Sequence, residues 1–323
     1  MNAFSPRLLM ILAAVPFLLF SCAEEIDESS ESVQDRILQA YIKTHYPDAV
    51  PSQSGLYIVD SIPGTGRTPG KSSCVLVDYT VSYLDGTYSS YTYDSLAYQL
   101  GTHSNSGYYH PRIWYLGNCA SGIVELLTGM KEGGMVKAII PAVLLDEESG
   151  MEIVQGDGSS KIYEIWLREV IDDPYIYQTN QMKNYSTIYF SGMDSTEYGF
   201  YFIKTASTMD SITSGTTVNV RYIGKFLDGT VFDTNIADTA KKYRIYNAAA
   251  TYEASSFKYQ DNEDAALDNN SFIAGFSMAA WRMNYGEKAV TFFYSPLGYG
   301  DNGSGDIPGF VPLRFEIWIE QED

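Results

Sequence analysis

Short runs in which apolar and polar residues alternate, each closed by turn residues, dominate this chain, and helical periodicity is confined to brief stretches. Val75-Leu-Val-Asp-Tyr79 and Val218-Asn-Val-Arg-Tyr222 are two such runs, leading to the turns Asp85-Gly86 and Asp228-Gly229. Alternation between two faces followed by an Asp-Gly pair predicts strands entering hairpins. A strand is expected before each run (Leu56 to Val59; Phe200 to Ile203) and a closing strand after it (Ile162 to Leu167; Leu313 to Ile319). One helix-period segment lies within each set, at about Ile123 to Met130 and Phe276 to Met283, and Gly133 and Gly286 are expected to end it. A further helix leads each set. In the first, Val33, Ile37, Ala40 and Tyr41 share a face; the second, Tyr175 to Tyr185, follows Asp172-Asp173-Pro174, a good helix start. Antiparallel strands around one amphipathic helix make an α+β module.

The chain holds this module twice. Tyr79 and the Leu84-Asp-Gly-Thr87 turn recur 143 residues later at Tyr222 and Leu227-Asp-Gly-Thr230. Gly122, Met130 and Gly133 recur 153 residues later at Gly275, Met283 and Gly286, and Tyr163-Glu-Ile-Trp166 recurs 152 residues later at Phe315-Glu-Ile-Trp318. Three collinear matches define a repeat. The change of offset places about ten additional residues in the second copy between its first and second blocks. Domains are expected over residues 33–171 and 172–323.

The N-terminal stretch has a different character. Arg7 precedes an apolar run, Leu8 to Phe20, too short for an ordinary membrane span and suited to a signal-peptide core. Leu19-Phe20-Ser21-Cys22 resembles a bacterial lipobox, which makes Cys22 the expected lipidation site and residues 1–22 a leader. The acidic stretch at 23–32 reads as a tether. Lipidation implies anchoring to the membrane in the cell envelope, facing the periplasm or the cell surface. A formal net charge of −19 over 323 residues argues against a nucleic-acid partner. Cys74 and Cys119 are the other two cysteines; a disulfide and two separate thiols are both open.

The second copy carries a recognisable set of motifs. Val218-x-Val220-x-Tyr222-x-Gly224 leads to Asp228-Gly-Thr-Val-Phe-Asp233; then come Phe272-Ile-Ala-Gly-Phe276, Leu297-Gly-Tyr-Gly300 with Ile307-Pro308, and Leu313-x-Phe315-Glu-Ile317. In these residues it resembles the FKBP family of peptidyl-prolyl cis-trans isomerases. The resemblance covers most of residues 197–323 and, less cleanly, 55–171. It implies two tandem FKBP-like domains, each an antiparallel sheet wrapped around one amphipathic helix. It also implies roles. Asp233, Tyr299 and Tyr222 would be the catalytic residues, Asp233 presenting a carboxylate and Tyr299 a hydroxyl to the peptide. Phe232, Phe272, Ile273, Phe276, Ile307 and Phe315 would bind substrate, with the main-chain N–H of Ile273 gripping the peptide. Phe276 stands where the family usually has tryptophan. One of Tyr243, Ile245 and Tyr246 is expected to add a wall, and Ala248 to Ser271 to form a flap near the mouth.

Turning an Xaa-Pro bond requires the loss of amide resonance and breaks no bond, so a catalyst must hold the twisted amide better than the planar one. An apolar bowl with a few aimed polar groups meets that need. No cofactor or metal is implied, and His45, His103 and His110 show no ligand spacing. The expected partners are proline-containing segments of secreted or envelope proteins. In the first copy, ungapped alignment puts Ser89, Ser90, Ile123 and Asp146 at the positions of Phe232, Asp233, Phe276 and Tyr299; a gapped one offers Tyr93 and Asp94. That copy is expected to be catalytically degenerate. A non-catalytic lipoprotein binding peptide, protein or glycan is the alternative function, and an envelope spacer a third.

Overall fold

A computed structural model describes residues 30–145, 157–269 and 271–320. The leader, Cys22 and Asp146 lie outside the described residues. Helix α1 (Ser30–His45) leads six strands: β1 (Tyr57–Ile62), β2 (Cys74–Tyr83), β3 (Tyr88–Tyr91), β4 (Arg112–Tyr115), β5 (Met135–Ile140) and β6 (Lys161–Ile171). Helices α2 (Asp94–Leu100) and α3 (Ser121–Thr128) flank β4. Helix α4 (Pro174–Tyr189) then leads β7 (Phe200–Ala206), β8 (Thr217–Phe226), β9 (Val231–Thr234) and β10 (Ser255–Lys258), with β11 (Lys288–Phe293) and β12 (Leu313–Ile319) closing the chain. Helix α5 (Ala237–Lys242) lies between β9 and β10, and α6 (Glu263–Asn269) and α7 (Ala274–Trp281) lie between β10 and β11.

The two sheets have one topology. The first runs β1-β5-β6-β2-β3 with β4 also on β2; the second runs β7-β11-β12-β8-β9 with β10 also on β8. All these pairings are antiparallel. The fold is therefore α+β with two antiparallel sheets. Each sheet buries one face on its central helix, α3 or α7, and the other on its leading helix. Val136, Ala138 and Ile140 face the α3 side with Ile123, Leu126 and Leu127, whereas Ile139 joins Leu38, Ile42, Tyr57 and Ile162 beneath α1. Alternate residues of one strand thus serve two cores, as a period of two requires.

Helix α4 starts as its sequence directs. Pro174 occupies the first turn, and the Asp173 carboxylate accepts from the N–H groups of Tyr175 and Ile176 at 2.8 and 2.9 Å, satisfying donors that have no partner within the helix.

Four expectations need correction. Helix α1 buries Leu38 and Ile42 while Ile37 is 46 % exposed; the narrow seat on Tyr57, Ile139 and Ile162 takes one i, i+4 stripe, and Ile37 lies about 100° around the axis. Gly133 and Gly286 do not end α3 and α7; with φ of 80° and 71° they form the turn into the next strand, where a left-handed backbone favours glycine. Helix α7 is buried all round from Gly275 to Ala280, not amphipathic. The reason is α6, which packs on its outer side: Trp281 Nε1 donates to Gln260 O at 3.1 Å, and Arg282 bridges to Glu263. Finally, residues 248–271 are not one flap, because β10 completes the sheet edge and α6 covers α7.

Strand register locates the additional residues. Cys74 pairs with Tyr115, and Thr217 with Lys258, so the 143-residue offset persists through β10. The ten-residue change falls between Lys258 and Gly275, the stretch that contains α6. The equivalent of β10 was present all along as β4.

Candidate active site

Strand β8 is the middle of the site. Gly224 pairs with Asp233 on β9 and with Phe315 on β12. A Cβ at Gly224 would stand 2.7 Å from the Phe232 ring and 3.0 Å from that of Phe315, so only glycine lets both rings lie over the strand. Sequence reasoning recorded Gly224 as part of a motif and missed this role.

The rings meet edge to face. Phe276, in the first turn of α7, lies 5.4 Å from Phe315 at 88° and 5.6 Å from Tyr222 at 83°; Phe232 lies 5.6 Å from Phe315 at 86°. Phe272 stacks on Phe276 at 4.5 Å. Such contacts place positive ring edges on negative faces, and they fix Tyr222 against a wall of four phenylalanines. Its hydroxyl donates to Asp233 Oδ2 at 2.7 Å. Burial pushes the Tyr222 phenol up, and the Asp233 charge and hydrogen bond raise it further, so it stays protonated and donating. The Tyr299 phenol is also raised, first by burial and then by the charge of Asp233.

A cavity of about 520 Å³ opens beside this cluster, lined by Tyr222, Phe232, Asp233 and Ile245 with the segment 250–255 that leads into β10. Phe276 and Phe315, 2 % and 4 % exposed, stand behind its aromatic wall. Ile245 is the one of the three open choices that borders it; Tyr246 instead stacks on Tyr252 at 5.1 Å, and the Tyr243 ring lies by Lys225 and Lys242. Ile273 precedes α7, its carbonyl accepting from Phe276 and Ser277. Ile307 packs on the core of the second domain and borders a separate cleft of about 830 Å³ between the domains. The structure therefore gathers Tyr222, Phe232 and Asp233 at the opening, seats Phe272, Phe276 and Phe315 as the body of the wall, and sets Ile307 on the cleft side.

Asn235 is a positioning residue that sequence reasoning passed over. It is buried, accepts from the Tyr222 N–H at 2.9 Å and donates to Val220 O at 2.8 Å. A polar residue two places beyond Asp233, where the strand should end, was the available signal.

In the first copy the equivalent tyrosine is sealed, and Ser89 and Ser90 border the interdomain cleft instead. Val81 pairs with Ser90 as Gly224 pairs with Asp233, which settles the open alignment: Ser89 and Ser90 replace Phe232 and Asp233. The Tyr79 hydroxyl bonds Ser90 Oγ at 3.2 Å, Trp114 packs on Tyr79 at 4.7 Å, and the Arg112 guanidinium lies 5.9 Å from the same ring. Tyr79 and Ile123 are both fully buried. Cys74 and Cys119 are thiols, Cys119 donating weakly to Tyr115 O. Among the described residues no helix is long and apolar enough to cross a membrane, and no cluster of three metal-ligating side chains occurs.

Sheet topology, central helix and aromatic site together define an FKBP-like module, and the comparisons agree: residues 209–320 match the family model described as FKBP-type peptidyl-prolyl cis-trans isomerase. The chain resembles the FKBP-type 22 kDa peptidyl-prolyl cis-trans isomerase of Escherichia coli (strain K12), with 31 % identity over 39 % of this chain and 51 % of that protein. It resembles peptidyl-prolyl cis-trans isomerase FKBP15-1 of Arabidopsis thaliana at 34 % identity over 32 % and 54 % of the two chains. Among solved structures, FkpA from Escherichia coli aligns with a TM-score of 0.33 at 22 % identity, over 43 % of this chain and 60 % of that one. The chain spans about half the length of the two curated relatives.

Proposed function

We propose that the second domain catalyses cis-trans exchange of Xaa-Pro bonds, and that the protein does so outside the cytoplasm, anchored through a lipid on Cys22, on secreted or envelope proteins. The observation that carries the reading is the Tyr222–Asp233 hydrogen bond at the edge of the phenylalanine wall. A proline ring seated against Phe232 and Tyr222 leaves water, and water is what favours the charge-separated planar amide. Asp233 is exposed at the rim, where its carboxylate can meet the dipole of the twisting amide, and Tyr222 holds that carboxylate in place. Tyr299, kept protonated, is a donor for a peptide carbonyl. Uncatalysed exchange takes tens of seconds or longer, so modest preferential binding of the twisted form has a measurable effect. No step moves a proton or breaks a bond.

The test is a coupled proline-tetrapeptide assay on protein beginning at Ala23. Acceleration is expected, weakened by Asp233→Ala and by Tyr299→Phe, and indifferent to Ser90→Ala. Absence of acceleration at micromolar protein would instead favour a non-catalytic binding module, a reading supported by the near-complete burial of Phe276 and its lack of an indole.

A further inference from the structure

The site of the second domain is not built by that domain alone. A segment of the first domain, residues 102–111 between α2 and β4, crosses to it. Ser106 lines the same cavity as Tyr222, Phe232 and Asp233. The segment is held at three further points: Asn105 Nδ2 donates to Arg244 O at 3.2 Å, His110 Nε2 meets Asp228 Oδ2 at 2.7 Å, and Tyr108 packs edge to face on Phe226 at 4.9 Å. Phe226 in turn touches Phe232 at 5.0 Å, so the wedge ends one ring from the proline wall. Tyr108 joins the core of the second domain, and Phe310 of the second joins Cys74, Ile113 and Ile171 of the first. Phe310 closes the loop that carries Tyr299 and Ile307, and within the second domain the Tyr175 hydroxyl of α4 bonds Asp301 in that loop at 2.9 Å.

We infer that the degenerate first domain is a specificity element: its 102–111 segment is a wall of the working site, and Ser106 limits the side chains a substrate can carry next to the proline. This rests on the isomerase reading of the second domain. A peptide lying against Asp233 must pass between Ser106 and the segment at 250–255, because both border that cavity. Bulk next to the proline is therefore selected by a residue more than a hundred positions upstream of the chemistry.

The experiment measures kcat/KM on tetrapeptides with Ala, Leu or Phe before proline, using the full chain from Ala23, with NMR line broadening of the same peptides as a binding readout. Ser106→Trp should lower kcat/KM for the Leu and Phe peptides on the order of tenfold relative to the Ala peptide. The double variant Asn105→Ala/His110→Ala, which removes two exposed tethers, should draw the three peptides closer together than in the wild type. Unchanged ratios in both variants would overturn the inference while leaving the isomerase intact. A wild-type protein that neither accelerates exchange nor broadens the peptide resonances would overturn the isomerase reading, and this inference with it.

Discussion

Tyr79 and Tyr222 occupy the same place in two copies of one sheet, yet the first is sealed and the second borders a cavity. The exchange behind this is volumetric. Val81 stands where the second copy has Gly224, and Ser89 where it has Phe232, so one copy carries bulk on β2 and the other on the neighbouring hairpin strand. In the first copy Val81 is buried in the core while Ser89 is exposed and borders the interdomain cleft. A hydrogen bond at the tyrosine hydroxyl survives in both, with Ser90 in one and Asp233 in the other. Backbone support survives too: Thr92 accepts from the Tyr79 N–H as Asn235 does from that of Tyr222. A fold tolerates loss of its chemistry when the residues behind the site stay packed; the glycine, not the aromatic residues alone, separates a site from a core.

The largest effect should come from erasing the difference. Phe232→Ser with Asp233→Ser converts the second site toward the first and should reduce kcat/KM on the order of 100-fold, with the tetrapeptide assay as readout and circular dichroism confirming the fold. Next comes Gly224→Val, which drives a side chain into the Phe232 and Phe315 rings; overpacking costs about 1–3 kcal/mol, read as a lowered midpoint in urea along with lost activity. The converse change sharpens the comparison: Ser89 is exposed at the interdomain cleft, so Ser89→Phe in the first copy should leave the urea midpoint within about 0.5 kcal/mol of the wild type.

Much of this comparison was legible in the sequence. The repeated strands, the turns at Gly86 and Gly229 and the leading helix behind Asp173-Pro174 follow from alternation and end signals that depend on a few neighbouring residues. The convergence of Tyr222, Phe232, Phe276 and Phe315 was legible because their motifs resemble a known family. What escaped depends on distant contacts. Whether Leu38 or Ile37 faces inward is decided by the sheet beneath, and whether 248–271 is a flap or a strand and a helix is decided by an open sheet edge and a helix needing cover. The contribution of Ser106 was invisible, since no local pattern announces that one domain completes another.

Two smaller effects test the junction between the copies. Asp173→Ala removes the cap of α4 and should cost about 1 kcal/mol, measured as a shift in the unfolding midpoint. The His110–Asp228 contact adds a pH dependence. Hydrogen bonding to Asp228 raises the His110 imidazole above its usual range against the opposing effect of burial, and the charges of Asp228, Asp78 and Asp94 add to the rise. A raised histidine stabilises the docked arrangement fully below its unfolded value and loses that contribution as pH climbs through the folded one. The pair is partly exposed, so after screening about 0.5 kcal/mol is at stake. His110→Gln should flatten the pH dependence of docking, followed by hydrogen exchange at residues 102–111.

The mutual packing of Tyr108 and Phe310 has a consequence for how such a chain can change. Two modules that each press a ring against the other cannot be pruned to one without baring apolar surface on the survivor. A copy relieved of catalysis is then kept in place by what it lends, and duplication becomes irreversible through shape rather than through activity.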